Sequence, residues 1–257
     1  MRILLIGDIV SSQGCEYLRK MLPALKKEYK ADVVIVNGEN SAVGNGITPH
    51  SAKYIFDSGV DVITLGNHSL RRREIYDYLE ETEFIIRPAN YHASAPGRGV
   101  CIVDKGYTRL GVINLQGVIY LENNINPFET ADREIRALHD EGIKNIIIDF
   151  HAEASSEKRG LGFYTDGRVS VVAGTHTHVQ TSDEQILPNG TGYITDLGMT
   201  GPYYSVLGVE PQCAIEKMKT NLPVRFTTQD GPCTMEGCFA EIDDKTGKAI
   251  KIERFRK

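Results

Sequence analysis

The 257-residue chain has no tryptophan, few cysteines and no long apolar run. A helix that crosses a bilayer needs about 20 apolar residues, so no membrane span is expected. Gly7 and Asp8 come too early in the chain for a signal peptide. The cysteines are odd in number, scattered and without a C-x-x-C pair: Cys15, Cys101, Cys213, Cys233 and Cys238. We therefore expect reduced thiols in a cytoplasmic protein.

The chain also has no excess of basic residues. Lysine and arginine total 29 against 34 aspartates and glutamates, for a net charge of -5. This balance argues against a general nucleic-acid coat and against binding to anionic membranes. The sequence leaves a homo-oligomer open. We find no low-complexity linker, charge block or internal repeat. The simplest prediction is one domain over residues 1–257, with a β-meander at about 223–255.

Apolar runs and helical periodicities alternate along the chain, which is typical of an α/β protein. Buried strands are predicted at 2–7, 31–36, 60–65, 145–150 and 169–173. Helices are predicted at about 14–29, 49–58, 72–81, 129–141 and 211–220, the first interrupted by Pro23 and the second capped by Thr48. Residues 185–195 read as a hairpin, and 198–208 as a glycine-rich loop.

Each of the five predicted strands ends at residues that can bind a metal. They are Asp8, then Glu39 with Asn40, then Asn67 with His68, then His151, and last His176 with His178. Taken singly, these side chains also fit an Asx-turn, a helix cap or a core histidine. The carboxyl ends of parallel strands, however, meet at one edge of a sheet. We therefore expect a shared metal site there.

The segment Gly174-Thr175-His176-Thr177-His178 follows the last predicted strand. Side chains at i and i+2 share a face only in an extended backbone. The two imidazoles are therefore expected to converge on one point if the strand continues through His178. The alternative is a polar loop whose histidines bond only to water.

The expected ligand set is too large for one four-coordinate ion. Two ions bridged by a carboxylate would use it fully. Nitrogen and oxygen ligands without thiolate suit iron, manganese, zinc or nickel. Asp8 and Glu39 bring two negative charges against the four positive charges of two divalent ions, which favours a bridging hydroxide and an anionic substrate. A phosphate ester fits, because two metals about 3.5–4 Å apart can hold both the attacking and the departing oxygen.

These motifs, in this order, resemble those of the calcineurin-like metallophosphoesterases. Within them the chain is similar to the YmdB-type family of 2',3'-cyclic-nucleotide 2'-phosphodiesterases. The matching stretches are 37–40, 66–68, 149–154, 165–168, 174–181, 198–203 and 221–226. The resemblance implies a four-layer α/β/β/α sandwich with the metal site at the C-terminal strand ends. It also implies a di-iron or di-manganese enzyme, so iron ranks first and manganese second, with zinc or nickel as alternatives.

The resemblance further implies one ion held by Asp8, Glu39, Asn40 and His178. The second ion would be held by Glu39 as the bridge, Asn67, His151 and His176. His68 would donate the proton to the leaving oxygen of a small cyclic-nucleotide substrate. The alternatives are a phosphomonoesterase such as a nucleotidase, and a regulatory protein that binds metal with little turnover.

Two positions depart from the wider superfamily. Val10 stands where the first motif usually has histidine, and Asn40 is expected to compensate. Ala42 stands where an aspartate usually orients the catalytic histidine, so the sequence identifies no group that orients His68. Arg71-Arg72-Arg73 reads either as a phosphate clamp or as a solvated basic turn.

Overall fold

The computed structural model describes residues 1–257 as two β-sheets with helices on their outer faces. In chain order the elements are β1 (Arg2–Ile6), β2 (Asp8–Ile9), α1 (Ser11–Tyr29), β3 (Val33–Asn37), α2 (Pro49–Asp57), β4 (Val62–Thr64), α3 (Tyr76–Glu81), β5 (Ile85–Ile86), β6 (Val100–Asp104), β7 (Arg109–Gln116), α4 (Pro127–Asp140), β8 (Asn145–His151), α5 (Ser155–Thr165), β9 (Val171–Thr175), β10 (Gln185–Ile186), β11 (Gly192–Ile194), β12 (Met199–Pro202), α6 (Pro211–Thr220), β13 (Cys233–Ile242) and β14 (Ala249–Arg256). None of the helices is long and apolar enough to span a membrane.

The five strands predicted to end at the site divide between the two sheets. The first sheet runs β2-β12-β13-β1-β3-β4-β5, with β14 beside β13, and its β1, β3 and β4 are parallel neighbours. The second runs β10-β11-β9-β8-β7-β6, with β8 and β9 parallel. The expectation of a single sheet edge was therefore wrong. The strand ends meet because the edges of two sheets lie side by side.

Side chains along each strand point alternately to the two faces of the sheet, and this explains how the layers pack. In β1, Leu4 and Ile6 belong to a buried cluster shared with α1 and α2, whereas Ile3 and Leu5 belong to a cluster shared with the second sheet. A third cluster joins the outer face of the second sheet to α4 and α5. Period-two alternation places successive side chains on opposite faces. The resulting order is helices, sheet, sheet, helices, which confirms the predicted four-layer sandwich.

Helix α1 tolerates the proline that the sequence suggested would interrupt it. Pro23 lies inside the helix, while Leu18, Leu22 and Leu25 at helical spacing are fully buried against the first sheet. Packing of this apolar stripe outweighs the local cost of proline. Helix α2 begins as predicted, with Thr48 accepting a hydrogen bond from the Ser51 amide.

Helix α5 was not predicted from the sequence pattern. Two glycines, Gly160 and Gly162, lower its helix propensity and hide its periodicity. The structure explains Gly162, because a Cβ there would lie 2.6 Å from the ring of Tyr193. The glycine lets the helix approach the second sheet closely.

The C-terminal region differs from the predicted meander. Residues 221–232 carry no helix or strand, only a single bridge from Thr228 to Val209. Strands β13 and β14 then form a hairpin, and β13 pairs antiparallel with β1 and β12 in the middle of the first sheet. Residues 198–208 are likewise not only a loop, because β12 lies within them. Alternation alone does not show which strands become neighbours.

Candidate metal centre

The structure brings all seven expected ligands and His68 to the carboxyl edge shared by the two sheets. Asp8 opens β2, and His151 is the last residue of β8. The others follow β3, β4 and β9 directly or within four residues: Glu39, Asn40, Asn67, His68, His176 and His178. Gly66 is needed in this arrangement, because a Cβ there would lie 2.2 Å from the His151 ring.

One group of donors surrounds a single point. Glu39 Oε1 lies 3.1 Å from His151 Nε2, and His176 Nδ1 lies 3.0 Å from the same nitrogen. The ligand atoms of these three residues all lie within 4.8 Å of one another. Asn67 Oδ1 lies 3.1 Å from His151 Nε2. These four residues can hold one ion.

A second group continues from the first through Glu39. The side-chain nitrogen of Asn40 lies 3.1 Å from Glu39 Oε1 and 3.3 Å from His178 Nε2, and its side-chain oxygen, the atom that can bind a cation, lies toward His68. His178 Nε2 in turn lies 3.4 Å from Asp8 Oδ1. Glu39 therefore lies between the two groups, as a bridging carboxylate would.

The hydrogen bonds of His151 show which of its nitrogens is open to a cation. The Thr175 hydroxyl donates to Asp149 Oδ1 at 2.7 Å, so it can accept from His151 Nδ1, 2.9 Å away. A proton on Nδ1 leaves a lone pair on Nε2. That lone pair faces the carboxylate of Glu39 and the amide oxygen of Asn67, which are also acceptors. Such a convergence of lone pairs is unfavourable without a proton or a metal ion between them.

The electrostatics of the site also favour a bound cation. Burial lowers the pKa of His151, but the carboxylates of Glu39, Asp8 and Asp149 raise it to about 9. Burial likewise lowers the pKa of His178, and Asp8 and the Leu207 carbonyl raise it above its usual value. Asp8 Oδ1 is buried and makes no hydrogen bond. The site attracts positive charge, and its nitrogen and oxygen donors without thiolate fit divalent first-row metals.

The His176–His178 segment does not continue strand β9, which was the condition for the two rings to converge on one point. Strand β9 ends at Thr175, and His176 and His178 have φ angles of 104° and 62°. Their rings therefore do not converge on one point: His176 joins the first group and His178 the second. Of the two alternatives, the continued strand is therefore excluded, while the separate assignment of the two histidines, which the resemblance implied, agrees with the geometry.

Buried carboxylates hold this segment in its unusual backbone conformation. Asp8 Oδ2 accepts a hydrogen bond from the His176 amide at 3.1 Å. Asp196 Oδ2 accepts one from the Thr177 amide at 3.1 Å and pairs with Lys158 Nζ at 2.6 Å. Both side chains of this ion pair are 1% exposed. Lys158 comes from α5, so the missed helix supports the centre.

His68 has orienting partners that the sequence did not reveal. Its Nδ1 lies 3.1 Å from Asn40 Oδ1 and 3.4 Å from Glu39 Oε1, and its backbone amide donates to Glu39 Oε2 at 2.8 Å. These contacts orient His68 in place of the aspartate that is usual in the superfamily at the position of Ala42. They leave Nε2 as the ring nitrogen without a protein partner.

Other residues around the centre were missed or misread. Glu153 Oε2 lies 3.0 Å from His176 Nε2, and only its place in the 149–154 motif hinted at this. Arg72 donates to the carbonyls of Val43 and Asn45. Arg72 therefore fixes the loop after Glu39, whereas Arg71 and Arg73 are exposed, as expected for a solvated basic turn.

A cavity of about 370 Å³ opens beside the two groups. His68, His176 and His178 line it together with Ser11. Part of its wall is apolar, formed by Val10, Leu207, Val209 and Phe226. The cavity can therefore receive a molecule with both a charged and an apolar portion.

Comparisons with known proteins agree with this arrangement. A family model described as YmdB-like protein matches residues 4–255. The chain is 50% identical over 254 residues to the 2',3'-cyclic-nucleotide 2'-phosphodiesterase of Bacillus subtilis (strain 168), covering 99% of this chain and 96% of that protein. Two crystal structures are also similar. One, a novel phosphatase from Mycoplasma pneumoniae, has a TM-score of 0.94 and 31% identity and covers 100% of this chain and 93% of that chain. The other, a hypothetical protein from Thermus thermophilus, has a TM-score of 0.93 and 36% identity and covers 100% of this chain and 99% of that chain.

Proposed function

This chain belongs to the YmdB-like protein family, and from that premise we propose that it is a dinuclear metal-dependent phosphodiesterase that hydrolyses 2',3'-cyclic nucleotides. The observation that carries the proposal is the convergence of Glu39 Oε1, His151 Nε2 and His176 Nδ1 beside a cavity lined by His68. Lone pairs gathered at one buried point suit a bound cation, and the neighbouring cavity suits an anionic substrate.

Seven residues would hold the two ions. One ion would be bound by Asp8, Glu39, Asn40 and His178, and the other by Glu39, Asn67, His151 and His176. Iron is proposed first and manganese next, with zinc or nickel as alternatives. When bound, the ions supply Lewis acidity and neutralise the charge of the phosphoester.

His68 would act on the leaving oxygen. Hydrolysis adds the hydroxyl of water to phosphorus, breaks the P–O2' bond and leaves a 3'-monophosphate. The departing ribose alkoxide needs a proton, because it is a poor leaving group near neutral pH. With Nδ1 held by Asn40 and Glu39, the proton would come from Nε2, and solvent would restore it afterwards.

The apolar part of the cavity favours a nucleotide over a simple phosphate ester. Leu207, Val209 and Phe226 offer a surface that a nucleobase can cover. Phe226 is the aromatic side chain in this wall and is half exposed. We propose that it stacks on the base.

We propose further that residues 1–257 form one domain that works in the cytoplasm. The buried cluster between the two sheets contains residues from β1 near the N-terminus and β13 near the C-terminus, which supports a single folding unit. All five cysteines are free thiols, and free thiols persist in a reducing compartment.

Anaerobic purification, elemental analysis and turnover of 2',3'-cyclic AMP test the proposal. We expect two ions per chain and 3'-AMP as the product. Glu39→Gln should reduce occupancy of both ions, whereas Glu153→Gln, which alters a contact of His176 alone, should affect one ion at most. One ion per fully loaded chain would contradict the dinuclear centre. Turnover of monoesters alone would favour a phosphomonoesterase, and metal binding without turnover a regulatory protein.

A further inference from the structure

Helix α1 begins beside the metal centre without a side-chain cap. Its N-cap residue is Val10, whose side chain has no hydrogen-bonding group. The Ser11 amide donates to the Asn40 carbonyl at 2.9 Å and the Gly14 amide to the Val10 carbonyl at 3.1 Å. The amides of Ser12 and Gln13 have no hydrogen-bond partner. This end of a 19-residue helix therefore carries open donors and the positive end of the helix dipole.

Ser11 has two unfavourable features at the same position. Its φ angle is 61°, in the left-handed region that favours glycine. Its side chain is buried, at 4% exposure, and its hydroxyl has no hydrogen-bond partner. An unpaired buried hydroxyl destabilises a fold, and strained backbone often marks a functional site.

The position of Ser11 suggests what the hydroxyl is for. Ser11 lines the same cavity as His68, His176 and His178. The backbone amide of Ser11 donates a hydrogen bond to the backbone carbonyl of Asn40, a proposed ligand. The next residue, Ser12, is exposed and lines a different cavity, together with Cys15 and Tyr54. Of these two serines, only Ser11 lines the cavity beside the metal centre.

We propose that the Ser11 hydroxyl donates a hydrogen bond to a non-bridging oxygen of the substrate phosphate, with the start of α1 supplying a favourable dipole. Phosphate groups bind well at helix N-termini, because free amides and the dipole both favour negative charge. The inference rests on the proposed function, since it names how the phosphate of that substrate is bound. It assigns to Ser11 a role in binding and none in proton transfer.

Two variants separate the hydroxyl from the strained backbone. Ser11→Ala removes the hydroxyl and keeps a Cβ at positive φ, whereas Ser11→Gly removes both. Ser11→Gly should therefore be the more stable of the two. Ser12→Ala is the matched control, because it removes a hydroxyl from the same helical turn outside the cavity.

Inorganic phosphate is the probe, titrated calorimetrically into the metal-loaded protein. We expect both Ser11 variants to bind phosphate about 10-fold to 100-fold more weakly than wild type, the range for a hydrogen bond to a charged group. KM for 2',3'-cyclic AMP should rise in parallel, with metal content unchanged. Ser12→Ala should match wild type in all three measurements.

Other outcomes would overturn the inference. Wild-type phosphate affinity in both Ser11 variants would show that the hydroxyl is not used. A loss in Ser11→Ala alone would assign the effect to strain, and a loss of metal in either variant would assign it to the ions. Failure of the proposed function would look different: the wild-type protein would not hydrolyse cyclic nucleotides, while the phosphate titration would still report on Ser11.

Discussion

His68 carries the chemical argument at the level of single residues. Replacing it by alanine should leave both ions bound, because the residue contacts the ligands Asn40 and Glu39 but is not itself a proposed ligand. We expect kcat on 2',3'-cyclic AMP to fall by about 10²–10⁴. A nitrophenyl phosphodiester should lose much less, since nitrophenolate leaves without a proton.

Kinetics on both substrates and elemental analysis check this prediction. His139→Ala is the control, because His139 is exposed at the end of α4 and precedes β8, whereas the proposed ligand His151 is the last residue of that strand. Equal losses on the two substrates would point to charge stabilisation in the transition state instead. Loss of metal from His68→Ala would make His68 a ligand.

Phe226 tests the preference for nucleotides. Removal of a stacked aromatic ring costs about 1–3 kcal/mol per base. We therefore expect Phe226→Ala to raise KM for 2',3'-cyclic AMP by about 5-fold to 150-fold. Ribose 2',3'-cyclic phosphate, which has no base, should be hydrolysed equally well by both proteins. A parallel loss on the base-free substrate would mean that Phe226 shapes the cavity rather than stacks on the base.

The sequence alone was enough to propose the residues that the structure brings together, but not the contacts between them. Every proposed ligand follows or ends a run of apolar residues, and this pattern is local. The partner of His68 is not local: Asn40 lies 28 residues away and reaches it only when β3 and β4 pair. Ala42 showed that the usual aspartate was missing, but no sequence rule identified its replacement. The buried, unpaired hydroxyl of Ser11 likewise becomes visible only in three dimensions.

At the level of secondary-structure elements, the main prediction concerns how α5 supports the segment that follows β9. Lys158 of α5 and Asp196 are both buried, and Asp196 also accepts the Thr177 and Gly198 amides. Lys158→Met would leave a buried carboxylate without its counter-ion. We expect the free energy of unfolding to fall by about 3–5 kcal/mol. Metal affinity should fall too, because Thr177 lies between the ligands His176 and His178.

Urea denaturation and metal titration check the Lys158 prediction. Lys105→Met is the matched control, because Lys105 pairs with Asp61 at 2.9 Å in a partly exposed position. Such a pair contributes about 0–1 kcal/mol. If Lys158→Met were no more destabilising than Lys105→Met, the buried pair would not hold the histidine segment.

The same elements show where sequence periodicity stops being informative. Gly162 of α5 packs so closely against the Tyr193 ring of the second sheet that a Cβ would not fit there. This contact joins two elements that are distant in sequence. The left-handed backbone of His176 and His178 is imposed by hydrogen bonds to Asp8 and Asp196. The sequence pattern left both an extended strand and a loop open there, because the hydrogen-bond acceptors that decide between them are distant in sequence.

At the level of the whole molecule, the sequence did not show that the strands divide into two sheets, because the strands of the two sheets look alike in sequence. The apolar runs that became β1, β3 and β4 do not differ in kind from those that became β8 and β9. The sandwich was predicted correctly through the family resemblance, while alternation by itself suggested one sheet edge. Which strand pairs with which is decided by long-range contacts such as those between β13 and β1.

Buried thiols make the fold sensitive to alkali. Burial raises the pKa of Cys15, Cys101 and Cys238 from 9.0 to about 12. Since the folded-state pKa is raised, the stability from these thiols is fully present below pH 9.0 and is lost as the pH rises towards 12. We expect the urea midpoint to fall between about pH 9 and about pH 10.5. A flat midpoint would show that the thiols are not shielded from water.

The same thiols test whether the chain unfolds as one domain. Cys15 lies in the cluster beneath α1, whereas Cys101 and Cys238 lie between the two sheets. In native protein near neutral pH, a thiol reagent should react at Cys213 and Cys233, which are less buried, and spare the other three. With increasing urea, Cys15, Cys101 and Cys238 should become reactive at one midpoint, because the intersheet cluster ties β1 and β13 to the second sheet. Mass spectrometry of each labelled peptide measures this. Reaction of Cys15 at a clearly lower urea concentration would divide the chain into separate folding units.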